Sequence, residues 1–158
     1  MGASVIAFYG YGLISENNKI RRLAVKLTEA AFLSTSLTLI TKTIIGRGRP
    51  YVQESQYSFN PFTFDNDYNS LPSGHTTLAF AYSTVMANEV DNVFWKIGWY
   101  SLAGLVGYAR IYNNQHWFSD VLMGAAIGYF SGEFVNTHNS NENGQTQLNL
   151  FPMPNGIA

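Results

Sequence analysis

The chain has 158 residues, enough for one domain with one sizeable core. Hydrophobic residues make up 46% of it and charged residues only 12%, roughly half the usual share in soluble proteins. A net charge of −1 provides no basic field for nucleic acid, and the absence of cysteine excludes disulfides, thiolate metal sites and a cysteine nucleophile.

Residues 1–14 are small, apolar and aromatic and read as a packed arm or the end of a helix. They contain no basic n-region followed by a long apolar core, which predicts no intact signal peptide. Ser15 or Asn17 is placed to cap a helix running to about residue 45, with Ile20, Leu23, Leu27, Ala30, Ala31 and Leu37 near one stripe and Gly46 and Gly48 at its end. Residues 50–71 are dense in Pro, Asn and Asp and predict a long irregular loop, a feature that often carries function. Pro72 suits the start of a second helix over 73–88. Asp91 or Asn92 caps a third to about residue 110, and a polar turn at 113–115 leads into a fourth over 116–134. Small residues in that last helix (Gly124, Ala125, Ala126, Gly128) allow close packing. The expectation is an all-α helical bundle over residues 1–136, followed by a polar, mobile tail over 137–158.

A membrane-spanning helix needs ~20 mostly apolar residues. The stretch 30–41 is uncharged but rich in Ser and Thr, 97–109 lies between Lys96 and Arg110, and 121–132 is shorter still. These read as helices of a compact bundle that touches a membrane surface rather than as spans.

Cations and histidines are scarce, yet they gather in three short stretches. Lys42 and Arg49-Pro50 flank a Gly-x-Gly turn, supplying a point charge and a planar fork for phosphate oxygens. Alone, they could as well be a basic helix end favoured by the helix dipole. Pro72-Ser73-Gly74-His75 places Ser and Gly at a helix start, where free N–H groups form an anion pocket and His75 can protonate a leaving oxygen. Alone, it could be an ordinary Ser cap before a surface His. His116 and Asp120 lie four apart, which on a helix puts them on one face. The carboxylate could then hold one ring N–H and leave the other nitrogen free to attack, with Arg110 near the same oxygens. Together, ten specified residues at fixed local spacings are very improbable by chance.

Those three stretches resemble the signature motifs of the type 2 phosphatidic acid phosphatase superfamily, over roughly residues 20–134. The resemblance implies a helical bundle with the active site at one end. It implies that Lys42, Arg49, Arg110, Ser73 and the Gly74 backbone bind phosphate, that His75 is the general acid, that His116 is the nucleophile forming a phosphohistidine, and that Asp120 orients His116. The family pattern has Ser before its third-motif Arg; here it is Ala109, so one hydroxyl contact is lost. The expected activity is phosphatase action without metal or cofactor on phosphomonoesters or diphosphates. A lipid phosphate is favoured by low charge and by the loop aromatics Tyr51, Tyr57, Phe59, Phe62, Phe64 and Tyr68. The rivals are an acid phosphatase acting on small soluble phosphomonoesters, a vanadium-dependent haloperoxidase and a non-catalytic phosphate-binding module. By analogy with the family, the setting is periplasmic or otherwise extracytoplasmic. His138 has no acidic or His neighbour at ligand spacing and receives no role.

Overall fold

The computed structural model describes residues 18–53 and 55–140. The expected N-terminal arm and the caps at Ser15 and Asn17 lie outside them. Four helices follow in order: α1 (Asn18–Ile45), α2 (Gly74–Asn88), α3 (Val93–Tyr112) and α4 (Phe118–Ser140), with short 3-10 turns at Pro50–Val52 and Asn66–Tyr68 in the α1–α2 loop. The all-α expectation holds. α2 is central and packs against the other three helices, and α1 also packs along α4. Short α2–α3 and α3–α4 connections make the chain alternate in direction. The C-terminal ends of α1 and α3 therefore meet the N-terminal ends of α2 and α4.

Asn92 is the residue that caps α3, its side chain accepting from the amides of Phe94 (2.9 Å) and Trp95 (3.1 Å). Gly46 ends α1 in the left-handed region at φ 57°, where a Cβ would lie 1.8 Å from the Asn60 carbonyl oxygen. The chain can fold back against residues 59–60 only with glycine at this position.

The core is built from small residues: Leu27 and Ala30 of α1, Ala81 and Val85 of α2, and Val135 of α4. Close approach makes this possible. At Gly128 a Cβ would sit 2.2 Å from the Thr77 carbonyl oxygen, so α4 lies directly on the α2 backbone. The α1 stripe differs from the expected one in its second half. Leu37 is exposed, and the buried positions run Ala24, Leu27, Ala30, Ser34 and Thr38, so the inward face changes from apolar to hydroxyl toward the C-terminal end.

Two boundaries also differ. α4 begins at Phe118, two residues later than expected, because the Asp120 carboxylate binds the Trp117 amide and sets the first turn there. It ends at Ser140, beyond residues 134 and 136, because Val135 and Asn136 are buried and Asn139 donates to Glu29 Oε2 at 2.8 Å. Tertiary partners override the polar composition of that last turn. Residues 141–158 of the expected tail lie outside the described residues.

Much apolar surface faces outward. α3 buries only Ala103 and Gly107 and exposes Phe94, Ile97, Leu102, Leu105, Tyr108 and Tyr112. α1 exposes Phe32, Leu39, Ile40 and Ile44. The stretch Lys19–Ile45 is long and apolar enough to cross a membrane by length and composition. The helix that contains 30–41 is longer than that stretch, with Lys26 and Glu29 before it and Lys42 after it.

Candidate active site

The four helix ends enclose a cavity of about 290 Å³. Six of the eight expected site residues line it: Lys42, Arg49, Gly74, His75, Arg110 and His116. Chain alternation accounts for this, because each motif sits at a helix end on the same side of the bundle. Ser73 and Asp120 are fully buried behind the wall.

The α1–α2 loop acts as a frame of backbone acceptors. Lys42 Nζ donates to the Asn69 carbonyl. Arg49 Nε donates to Asn66 O at 2.9 Å and its Nη1 to Gln115 Oε1 at 3.1 Å. These bonds hold two long, flexible cations at the cavity wall. Arg110 differs: its Nε is buried and has no protein partner. A buried donor of this kind costs free energy unless a ligand satisfies it.

Ser73 starts α2 but does not cap it with its side chain. Its hydroxyl accepts from Thr76 Oγ1 at 2.9 Å, and its amide donates to the Asp120 carbonyl at 3.0 Å. The first amides of α2 have no acceptor one turn back in the helix, and they begin at Gly74 on the cavity. Ser73 thus helps to seat the helix start.

His116 is 4% exposed and lies at the cavity floor. Its Nδ1 pairs with the Ser70 carbonyl oxygen at 2.7 Å. A carbonyl only accepts, so Nδ1 carries the proton and Nε2 keeps the lone pair. This corrects the expected direct His116–Asp120 hydrogen bond: Nδ1 is 3.9 Å from Asp120 Oδ2. The four-residue spacing argument presumes a helix, and His116 precedes α4.

Asp120 is instead the hub behind the site. Its Oδ1 accepts from Arg47 Nη1 at 2.6 Å, and its Oδ2 from Ser70 Oγ at 2.5 Å and the Trp117 amide at 2.8 Å. Arg47 is itself buried and also donates to Gln56 O at 2.9 Å and Ser119 Oγ at 2.7 Å. Asp120 thereby locks Ser70, whose carbonyl locks His116. The sequence reading missed Arg47, Ser70 and Gln115. A cation between the two glycines was a visible signal for Arg47. Ser70 had none, because it acts through its backbone.

Electrostatics separate the two histidines from ordinary imidazoles. Burial, then the charges of Lys42 and Arg49, push His116 down to about 3, against the opposing Ser70 carbonyl, so the imidazole is neutral at ordinary pH. His75 is more exposed and is also lowered, by burial first and then by Arg110, Arg49 and Lys42. His138 stacks on Phe134 at the far end of α4, away from the cavity.

Two histidines and three cations thus surround one cavity at an end of a helical bundle. The chain matches the PAP2 superfamily over residues 23–142, and it belongs to that superfamily. It is 42% identical over 85 residues to the lipid A 1-phosphatase of Porphyromonas gingivalis, covering 52% of this chain and 19% of that protein. It is 28% identical over 137 residues to the lipid A 1-phosphatase of Rhizobium etli, covering 79% of this chain and 58% of that one. Against the crystal structure of Aquifex aeolicus LpxE the TM-score is 0.63 at 28% identity, covering 84% of this chain and 81% of that one. The chain spans less than two thirds of the length of either lipid A 1-phosphatase.

Proposed function

We propose that this protein is a phosphatase that hydrolyses phosphorylated lipids through a phosphohistidine on His116. The observation that carries the reading is the imidazole of His116, held by Ser70 with Nε2 unprotonated, on the floor of a cavity walled by Lys42, Arg49 and Arg110. In the first step Nε2 attacks phosphorus in line, the bond to the leaving oxygen breaks, and protonated His75 gives that oxygen its proton. In the second step water attacks the phosphohistidine while His75, now neutral, takes the water proton. Inorganic phosphate leaves and both histidines return to their starting states. Lys42, Arg49, Arg110 and the α2 N-terminus stabilise the charge that develops on the equatorial oxygens. No step in this scheme calls on a metal or cofactor.

The lipid part of the reading is supported by the names of the relatives and by the surface. Tyr57, Phe62 and Phe64 of the loop are 74%, 70% and 89% exposed, beside the outward apolar faces of α1 and α3. Such a surface suits a membrane better than water. The site then opens at the membrane surface, on the extracytoplasmic side.

The test is phosphate release from phosphorylated lipids in mixed micelles against release from p-nitrophenyl phosphate. A preference for the micellar substrate of tenfold or more in kcat/KM is expected, with acid-labile phosphate trapped on residue 116. Equal rates on both would turn the reading to a soluble acid phosphatase. Phosphate release with no trapped phosphohistidine would remove the assigned mechanism.

A further inference from the structure

We infer that Thr38 is a substrate-binding residue whose hydroxyl bonds an oxygen on the organic side of the scissile bond, setting specificity for the leaving group. The inference rests on the phosphatase reading of the same cavity.

Thr38 is 4% exposed, lines the cavity, and its Oγ1 has no hydrogen-bond partner. Three other threonines of this helix satisfy themselves on the preceding turn. Thr28 donates to Ala24 O at 2.8 Å, Thr41 to Leu37 O at 2.8 Å and Thr43 to Leu39 O at 3.0 Å. Thr38 could make the same bond to Ser34 and does not. A buried hydroxyl left unpaired costs about 1–3 kcal/mol unless something else completes it. Among the described residues of the cavity wall, the other fully buried side-chain atom without a partner is Arg110 Nε, which the phosphate reading already assigns to the ligand.

Position separates the two orphans. Thr38 is one turn N-terminal to Lys42 on α1, on the same face of the helix. Its methyl group is directed at Gly74, where an added Cβ would lie 3.7 Å from Thr38 Cγ2. Thr38 therefore sits beside the start of α2, next to His75, and one turn further from the C-terminal end of α1 than Lys42. The wall continues along α1 as Leu39 and Thr35, with Leu78 opposite on α2, toward the exposed apolar face of α1. A leaving group that follows this wall from a phosphate held by the cations passes Thr38. Thr38 meets its first oxygens.

The test compares Thr38→Val, which keeps the shape and removes the hydroxyl, with Thr38→Ser, which keeps the hydroxyl. On a phosphorylated lipid in micelles, Thr38→Val should lower kcat/KM at least fivefold. Thr38→Ser should stay within twofold of wild type. Inhibition by orthovanadate, which fills the phosphate position without an organic group, should be unchanged in both. The melting temperature of Thr38→Val should equal or exceed that of wild type, since an unpaired polar atom has been removed. The inference fails if Thr38→Val turns over lipid like wild type, if vanadate inhibition weakens in the same proportion, or if Thr38→Ser fails as badly as Thr38→Val. Binding of a non-hydrolysable phosphonate analogue in the same micelles measures the Thr38 contact without turnover. An inactive wild type would sink the phosphatase reading alone, and the ratio of phosphonate affinities would still judge Thr38.

Discussion

At the cavity end of the bundle, side chains are fixed by directional bonds to a loop. Lys42, Arg47, Arg49 and His116 each end on a backbone carbonyl supplied by residues 56–70. Further along the helices, around Val85 and Val135, such bonds join helix to helix instead, as Asn136 donates to the Thr84 carbonyl at 3.3 Å and Ser83 to the Trp99 carbonyl at 2.9 Å. Order there comes from small residues that bring α2 and α4 into backbone contact. The first kind of order specifies atomic positions and is sensitive to the loss of any one partner. The second specifies only how closely helices approach, and it tolerates polar change at its rim. Chemistry that needs a nitrogen aligned on phosphorus requires the first kind.

The largest expected effect tests the reacting atom itself. His116→Ala should lower kcat by about 10⁴-fold or more, with the melting temperature close to wild type, measured by phosphate release and thermal denaturation. Appreciable turnover in that variant would remove His116 as nucleophile. Next is the hub. Arg47→Met leaves the Asp120 carboxylate, which is 0% exposed, without its counter-ion. A loss of about 3–5 kcal/mol of stability is expected, together with a fall in kcat, because Ser70 and then His116 lose their anchor. A cost under about 1 kcal/mol would mean that the hub does not hold the site.

The packed region should respond differently. At Gly132 an added Cβ would lie 2.7 Å from Thr84 Cβ and 2.9 Å from the Ala81 carbonyl oxygen. Gly132→Ala should cost about 1–3 kcal/mol in denaturation while kcat of the folded fraction stays within about twofold. If Gly132→Ala abolished activity and Arg47→Met did not, the contrast between the two regions would be reversed.

A pH profile probes the cations that surround His75. Its pKa is lowered from 6.5 by burial and then by Arg110, Arg49 and Lys42. In the free enzyme the protonated acid is therefore lost as pH rises through a midpoint below 6.5, and kcat/KM should fall on that side. His116, at about 3, stays neutral and imposes no loss between pH 4 and that midpoint. Bound phosphate offsets the cations, so the corresponding limb in kcat should lie at higher pH. His75→Asn should remove the limb; its survival in that variant would assign it to another group. The smallest effect is at the far end of the molecule. Glu89→Gln removes the partly exposed Lys26–Glu89 pair at 2.7 Å and should cost less than about 1 kcal/mol with no change in kcat.

The helical class, the number of described helices and six of the residues that line the cavity were legible in the sequence. Asn92 caps, Gly46 turns, and the close-packing glycines of α4 act through local geometry that residue type alone announces. The composition of 137–140 misled, because Asn139 and its partner Glu29 are 110 residues apart.

The sequence by itself determined the chemistry on offer: two histidines, three cations and a glycine-bearing helix start, at spacings set by local backbone geometry. Only the tertiary structure decided how they are held. Ser70 reaches His116 across 46 residues and Arg47 reaches Asp120 across 73. The first of those bonds ends on a carbonyl, a group every residue carries, so no residue type could have announced it. The His116–Asp120 spacing suggested a direct bond, but the helix that would have made it begins two residues too late.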